Sequence, residues 1–298
     1  MDPVRSLLFV PGHRDRMLEK APGSGADGLL YDLEDSVPAA ERPTARSMLA
    51  DALSGDRALP RYIRVNGIVD AGKDETAADL DAVIRRTVDG IVLPKAQSAD
   101  DIAWTAAEID RLEAERGIEA GATEIVPMIE SALGVHFCYE ILTGSPRVSS
   151  VIVGSAQDGD LQTDLGAGWS PDGTEILYAR SKILLSARAA GIDQPLDGVF
   201  LGLDDEEGLI RDCENARRLG YRGKTVIHPR QIEPVHRVFT PTDAELDYYR
   251  EMIAAFEEAE AGGAGAFNFK GKMIDRAMIR KARGLLDRFA AGGGTSKS

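Results

Sequence analysis

Acidic and basic side chains recur in this sequence at the ends of short apolar runs. Asp32-Leu33-Glu34-Asp35 closes one run, Arg64-Val65-Asn66-Gly67 a second, Pro94-Lys95 a third and Glu130-Ser131 a fourth. The segment GSAQDGDLQTDLG (154–166) follows a fifth, and His228-Pro229 a sixth. Carboxylates delivered by separate runs suit a hard divalent cation. Mg²⁺ takes one or two protein carboxylates and leaves its other positions to water and substrate oxygens. Glu130 and an aspartate of the 154–166 segment could supply that pair. Zinc chemistry is disfavoured: Cys138 and Cys213 lack metal-ligand spacing, and His13, His136, His228 and His236 share no motif. Of the histidines, His228 stands at a run end and is the candidate to touch the site. Arg64 sits inside an apolar run, where an unpaired guanidinium would be costly to bury. It suits a clamp on an anionic substrate or on a developing oxyanion. One of the three carboxylates of DLED, with Glu34 and Asp35 as the supporting candidates, is expected to pair with it and fix its orientation. Each of these carboxylates taken singly has a structural or surface reading as well.

Eight runs have the length and apolarity of strands: Ser6–Val10, Gly28–Leu33, Tyr62–Val65, Gly90–Leu93, Glu124–Ile129, Ser150–Gly154, Gly198–Leu201 and Thr225–Ile227. Several are continuously hydrophobic (SLLFV, EIVPMI, SVIVG), as parallel strands buried on both faces are. Between them lie helix-like stretches: Arg14–Lys20, Ala40–Leu53, Thr76–Arg86, Ala99–Arg116, Leu133–Leu142, Glu175–Ala190, Glu206–Leu219 and, after the last, Gln231–Phe239. Eight β–α units predict a (β/α)8 TIM barrel, whose chemistry sits at the C-terminal ends of its strands. That is where the polar residues above fall. A doubly wound sheet is the alternative, weakened by the absence of a Rossmann glycine turn or a P-loop. The predicted organisation is a catalytic barrel over 1–240, a C-terminal helical lid over 241–290 and a disordered tail over 291–298. The lid would comprise a long acidic helix Asp243–Ala261, a flexible AGGAGAF linker and a helix near Arg276–Ala290.

The 298 residues, 28% of them charged and 43% hydrophobic, describe a globular chain. A net charge of −14 argues against nucleic-acid or anionic-membrane partners. Two cysteines give no disulfide framework, so a reducing, cytoplasmic location is expected. No apolar run approaches the roughly 20 residues of a membrane helix, and the N-terminus MDPVRSLLFVPGH has no signal-peptide pattern.

Taken together and in order, RSLLFVPG, DGLLYDLEDSV, RYIRVNG, GIVLPKA, IVPMIES, DGDLQTDLG, GKTVIHPRQI and GAFNFKGKMIDRAMIRKA resemble the citrate lyase beta subunit-like family, within the HpcH/HpaI aldolase group of CoA-ester lyases. The resemblance runs from Arg5 to Leu286. It implies a (β/α)8 barrel that binds Mg²⁺ and breaks or forms a carbon–carbon bond beside a CoA thioester. Residue by residue, it implies that Arg64 is the catalytic and substrate-binding arginine and that Glu130 ligates the metal and contacts substrate. Asp160, the first aspartate of a DLxxDLG-like pattern, would be the second metal ligand. The approach GSAQDGD is longer than the family's, so Asp158 is the competing placement. KGKMID resembles the lid of malyl- and citramalyl-CoA lyases and places Asp275 at the lid's catalytic acid, with capping of the last helix as its structural alternative.

The expected reaction is reversible Claisen cleavage of a 3-hydroxyacyl-CoA to acetyl-CoA and a 2-oxo acid. Alternatives are malate synthase or malyl-CoA thioesterase activity, a citryl-group lyase subunit, or a non-catalytic barrel subunit. Arg14, Arg16, Lys20 and Lys95 are candidate contacts for CoA phosphates. The lid is expected to come from a neighbouring chain of a homotrimer.

Overall fold

Strands of four to six residues follow one another around a closed parallel barrel in chain order. They are β1 (Ser6–Pro11), β2 (Gly28–Asp32), β3 (Arg61–Arg64), β4 (Gly90–Leu93), β5 (Glu124–Ile129), β6 (Ser150–Val153), β7 (Gln194–Asp197) and β8 (Gly223–Val226). The ring closes where Ser6 and Leu8 of β1 register with Lys224 and Val226 of β8. The computed structural model describes residues 1, 3–55, 57–262 and 266–291.

Alternation along each strand explains the continuous apolarity of the runs. Leu7, Leu30, Tyr62, Val92, Val126, Ile152 and Leu196, one from each of seven strands, pack together as one buried cluster. Their neighbours Leu8, Leu29, Ile63, Ile91, Ile125 and Val151 join a second cluster shared with the surrounding helices. One set fills the barrel and the other holds the helical shell, so both faces are buried and a polar residue there needs a partner.

The seventh strand is a correction. The run Gly198–Leu201 looked like the strand, but Gln194–Asp197 occupies that place, and Leu201 is exposed. The sequence QPLD reads as polar, yet it is buried because its polar atoms are satisfied internally. Gln194 Nε2 donates to the Val4 carbonyl at 2.6 Å. The Asp197 carboxylate pairs with Arg180 at 2.5 Å and with the fully buried Lys224 at 2.6 Å. The same pairing explains why the eighth strand begins at Gly223 rather than at Thr225: Lys224, a poor candidate for a buried strand position, is neutralised by Asp197 and by Asp212 of the helical shell.

The shell helices are α1 (Asp15–Lys20), α2 (Arg42–Ala52), α3 (Ile68–Ala71), α4 (Lys73–Val83), α5 (Ala99–Glu115), α6 (Ala132–His136), α7 (Cys138–Leu142), α8 (Asp160–Leu165), α9 (Leu177–Ala189), α10 (Glu206–Leu219) and α11 (Ile232–Phe239). α10 matches its expected bounds, whereas the stretch Leu133–Leu142 is two short helices meeting at Phe137. A Ser98–Asp101 capping box sets the start of α5. Among the described residues, no helix is long and apolar enough to cross a membrane.

The chain divides into two compact units, Met1–Phe239 and Thr240–Ser298. The second contains α12 (Asp243–Ala261), which starts at a Thr242–Glu245 capping box, and α13 (Arg276–Ala291). Between them the expected linker gives way to a hairpin of β9 (Ala266–Phe269) and β10 (Lys272–Asp275). Lys270 and Gly271 both have positive φ, 47° and 83°, which is the two-residue turn that matches strand twist. Met252, Phe256, Phe269, Ile274, Ile279 and Ala282 form this unit's own core. Linker residues 263–265 and tail residues 292–298 lie outside the described residues.

Candidate active site

The C-terminal ends of the strands, all but β4 contributing lining residues, surround a cavity of about 460 Å³ in the first unit. Phe9, Met128, Ile152 and Val199 supply apolar walls, and Asp32, Asp35, Arg64, Glu130 and Asp160 supply charge.

Arg64 is the last residue of β3 and is buried. Its Nε and Nη2 donate to the two oxygens of Asp32, the last residue of β2, at 2.7 and 2.8 Å. Strand register places the two residues side by side, which makes this fork possible. Nη1 lies 2.7 Å from Glu34 Oε2 and 3.2 Å from Asp35 Oδ2. All three carboxylates of DLED therefore hold the guanidinium, and the principal one is Asp32, which the sequence did not single out. The guanidinium carbon stands 4.9 Å from the centre of the Phe9 ring. Three of its five N–H groups are hydrogen-bonded, two to Asp32 and one to Asp35, so N–H donors remain for a substrate oxygen. Burial pushes the Asp32 carboxyl up, but the adjacent Arg64 charge and its hydrogen bonds outweigh that and hold it low. Asp32 also accepts N–H bonds from Glu34 and Ser36, which folds the DLEDS turn back toward β3.

Glu130 follows β5 and is 7% exposed. Its Oε1 accepts the Lys95 main-chain N–H at 2.9 Å. Burial pushes its carboxyl up to about 7 against the opposing pull of Arg64, and the Asp160 charge adds to the rise. Glu34 is pushed up to about 8, again by burial first, with Arg64 opposing and Asp35 and Glu130 reinforcing. Gly154, just after β6, leaves room for Glu130: a Cβ there would stand 2.3 Å from the Glu130 Cβ.

Asp160 opens α8, half exposed, and lines the cavity with Glu130. Asp158 is exposed, has φ 54°, donates its N–H to Gln162 Oε1, and is not among the lining residues. Among the described residues no cluster of three or more histidine, cysteine or acidic side chains is placed to hold a metal. The donor set here is two carboxylates, one of them desolvated, with open space beside them. That fits a hard cation that keeps most of its coordination for water and substrate, and it does not fit zinc.

The remaining candidates fall elsewhere. His228 Nδ1 accepts the Arg230 N–H and caps a short turn, and His228 does not line the cavity. Arg14, Arg16 and Lys20 are exposed on and beside α1. The Lys95 ammonium, instead of facing solvent, sits among carboxylates. In the second unit Asp275 is exposed, and its Oδ1 accepts the N–H groups of Ala277 and Met278 at 2.9 and 3.0 Å, capping α13.

A supporting network went unread. Asp79 of α4, fully buried, takes the Asn66 main-chain and side-chain N–H on one oxygen and the Arg46 Nε on the other. Asn66 Nδ2 also reaches the Leu33 carbonyl, tying the loop after β3 to the loop after β2. In KDETAADLDAV, Asp79 looks like any acid of a solvated helix face; the asparagine at the strand end was the available signal.

The chain matches the HpcH/HpaI aldolase/citrate lyase family over residues 5–229 and belongs to it. Citrate lyase subunit beta of Escherichia coli K12 is 38% identical over 286 residues, covering 95% of this chain and 92% of that protein. A (3S)-malyl-CoA thioesterase of Cereibacter sphaeroides is 37% identical over 288 residues, covering 95% and 94%. The crystal structure of the protein CitE from Mycobacterium tuberculosis in complex with magnesium, acetoacetate and coenzyme A superposes with a TM-score of 0.76. It is 30% identical, with 97% of this chain and 98% of that chain covered.

Proposed function

We propose that the protein is a Mg²⁺-dependent carbon–carbon lyase that cleaves a 3-hydroxyacyl-CoA of the malyl- or citramalyl-CoA type into acetyl-CoA, or a homologue, and a 2-oxo acid. The observation that carries this reading is the joining of Glu130 and Asp160 with a fixed Arg64 around one apolar-walled cavity. The magnesium, small acid and coenzyme A in the Mycobacterium tuberculosis relative support it.

In the cleavage direction the substrate hydroxyl gives its proton to solvent water and its oxygen becomes the new carbonyl. The electron pair of the broken carbon–carbon bond passes to the thioester fragment as an enolate, whose carbon then takes a proton. Glu130 and Asp160 would hold the cation; bound Mg²⁺ supplies Lewis acidity at the 2-oxo acid's oxygens. A free N–H of Arg64 stabilises negative charge on the reacting oxygen, with no reorganisation, because three carboxylates hold the guanidinium still. Asp275, contributed by a neighbouring chain of a homotrimer, is the proposed proton donor to the enolate and base in the condensation direction. A lid carrying it would keep water from the enolate.

A second outcome, hydrolysis of the thioester after condensation, is favoured by the malyl-CoA thioesterase relatives. A panel of 3-hydroxyacyl-CoA esters, assayed with and without Mg²⁺, separates the two. Release of a keto acid with acetyl-CoA supports the lyase. Free CoA together with intact hydroxy acid identifies the thioesterase. Neither product at any Mg²⁺ concentration refutes both.

A further inference from the structure

Lys95 is a non-glycine residue with positive φ (51°), a conformation that costs a side-chain-bearing residue free energy and needs a reason. The geometry supplies two. The left-handed turn after β4 aims the Lys95 main-chain N–H at Glu130 Oε1, 2.9 Å away. It also sends the side chain across the barrel rim, where Nζ lies 2.5 Å from Asp70 Oδ2, 3.3 Å from Asp160 Oδ2 and 3.6 Å from Glu34 Oε1. Those acids follow β3, β6 and β2, and Glu130 follows β5. One residue thus ties together the loops after five consecutive strands.

We infer that Lys95 is a positioning residue and resident counter-cation of the metal site: its main chain orients Glu130, while its ammonium, shared between Asp70 and Asp160, competes with the divalent cation for Asp160. This rests on the metal reading above. The two carboxylates at the ends of the ammonium's reach then have opposite effects. Asp70 draws the ammonium away from the metal ligands, being exposed and in α3, the short helix after β3. Asp160 draws it onto the site. Divalent affinity is therefore set by how the ammonium is divided between them, and the cation enters as Lys95 shifts wholly onto Asp70.

The probe is Mn²⁺ alone, titrated into the intact protein and followed by the loss of the free-ion electron paramagnetic resonance signal. Lys95→Gly keeps the left-handed backbone and the N–H but removes the ammonium. It is expected to bind Mn²⁺ about tenfold more tightly than wild type, because a unit charge beside the dication is gone. Asp70→Asn leaves the ammonium to Glu34 and Asp160 and is expected to weaken binding by about fivefold. Asp70 is exposed, so its substitution does not threaten folding. Lys95→Gln removes the charge but keeps a side chain at positive φ; it should also bind more tightly than wild type. Weaker or unchanged binding in Lys95→Gly, or tighter binding in Asp70→Asn, overturns the inference. A wild type with no saturable Mn²⁺ site overturns the metal reading itself and the inference with it. Wild-type binding with the wrong signs in the variants overturns the inference alone.

Discussion

Gly154→Ala tests the packing that makes room for Glu130. The added Cβ would lie 2.3 Å from the Glu130 Cβ, 3.2 Å from its Cα and 3.1 Å from Oε2. Carbon atoms rest at about 3.5–4.0 Å, so one element must give by roughly 1 Å. β6 cannot easily retreat: Gly154 donates its N–H to the Ile129 carbonyl at 2.8 Å, and Ile129 registers with Val153. Overpacking of this kind costs about 1–3 kcal/mol. A displacement of about 1 Å at a group that places the reacting atoms costs about 100-fold in rate. Urea unfolding of the variant should therefore show a loss of about 1–3 kcal/mol, and kcat/KM on the best substrate of the panel should fall about 100-fold. Gly168→Ala is the control, since a Cβ there meets nothing within 4 Å; it should stay within about 0.5 kcal/mol of wild type. The unfolding arm does not depend on the proposed reaction. Wild-type stability together with wild-type kcat/KM in Gly154→Ala would refute the close approach.

Asp32→Asn removes one charge of a buried fork to Arg64 and should cost about 3–5 kcal/mol in urea unfolding; a loss below about 1 kcal/mol would mean that Glu34 and Asp35 suffice to hold the guanidinium. Mixing inactive Arg64→Ala chains with inactive Asp275→Asn chains under subunit exchange should restore activity if each site draws on two chains, whereas full activity of Asp275→Asn alone would leave that residue only its capping of α13. The Asp27 carboxyl is pushed up by burial, yet hydrogen bonds from the Arg5 side chain and main chain outweigh this and hold it below its ordinary 3.8. A carboxyl lowered by folding stabilises the fold above pH 3.8 and loses that contribution as pH falls through the folded value. Melting temperatures followed from about pH 6 to about pH 3 should thus fall less steeply in Asp27→Asn than in wild type, and parallel curves would contradict the assignment.

The barrel was legible because most of its strands announce themselves in a physical way: both faces are buried, so runs such as SLLFV, EIVPMI and SVIV are apolar. β7 was not, because its polar residues are buried by mutual satisfaction. No local pattern reveals that Asp197 meets Arg180 of α9 and Lys224 of β8. Position alone marked Arg64 and Glu130 at the ends of apolar runs and an aspartate somewhere in 154–166; only the family resemblance chose Asp160 over Asp158. What they touch was not legible. The fork from Arg64 to Asp32 depends on the register of β2 against β3, and the role of Lys95 depends on a backbone angle that favours glycine. The β9–β10 hairpin was a miss of a different kind. Its Lys-Gly turn and flanking apolar residues were visible, but glycine and alanine just before it suggested a linker.

The charge balance of the mouth bears on why an arginine alone would not serve an anionic substrate here. Among the residues lining the cavity and the pocket beside it stand Asp32, Glu34, Asp35, Asp70, Glu130 and Asp160, against Arg64, Arg42 and Lys95. Arg64 already faces three of those acids within 3.2 Å, so its charge is spent locally and its value lies in direction. Lys95 is likewise enclosed by acids. Burial pushes Glu34 up to about 8 and Glu130 up to about 7, yet the four aspartates still outnumber the three bases, so an anion approaching this mouth meets net negative charge. Two of these acids are held in place by main-chain N–H groups, Glu130 by that of Lys95 and Asp32 by those of Glu34 and Ser36. Under the proposed function this is coherent: the excess is what attracts a divalent cation, and substrate affinity should then depend on that cation far more than on Arg64. Replacing Arg64 would accordingly damage the rate of the chemical step more than the binding of the 2-oxo acid, a split between kcat and KM that separates an arginine aimed at the reacting oxygen from one that merely gathers anions.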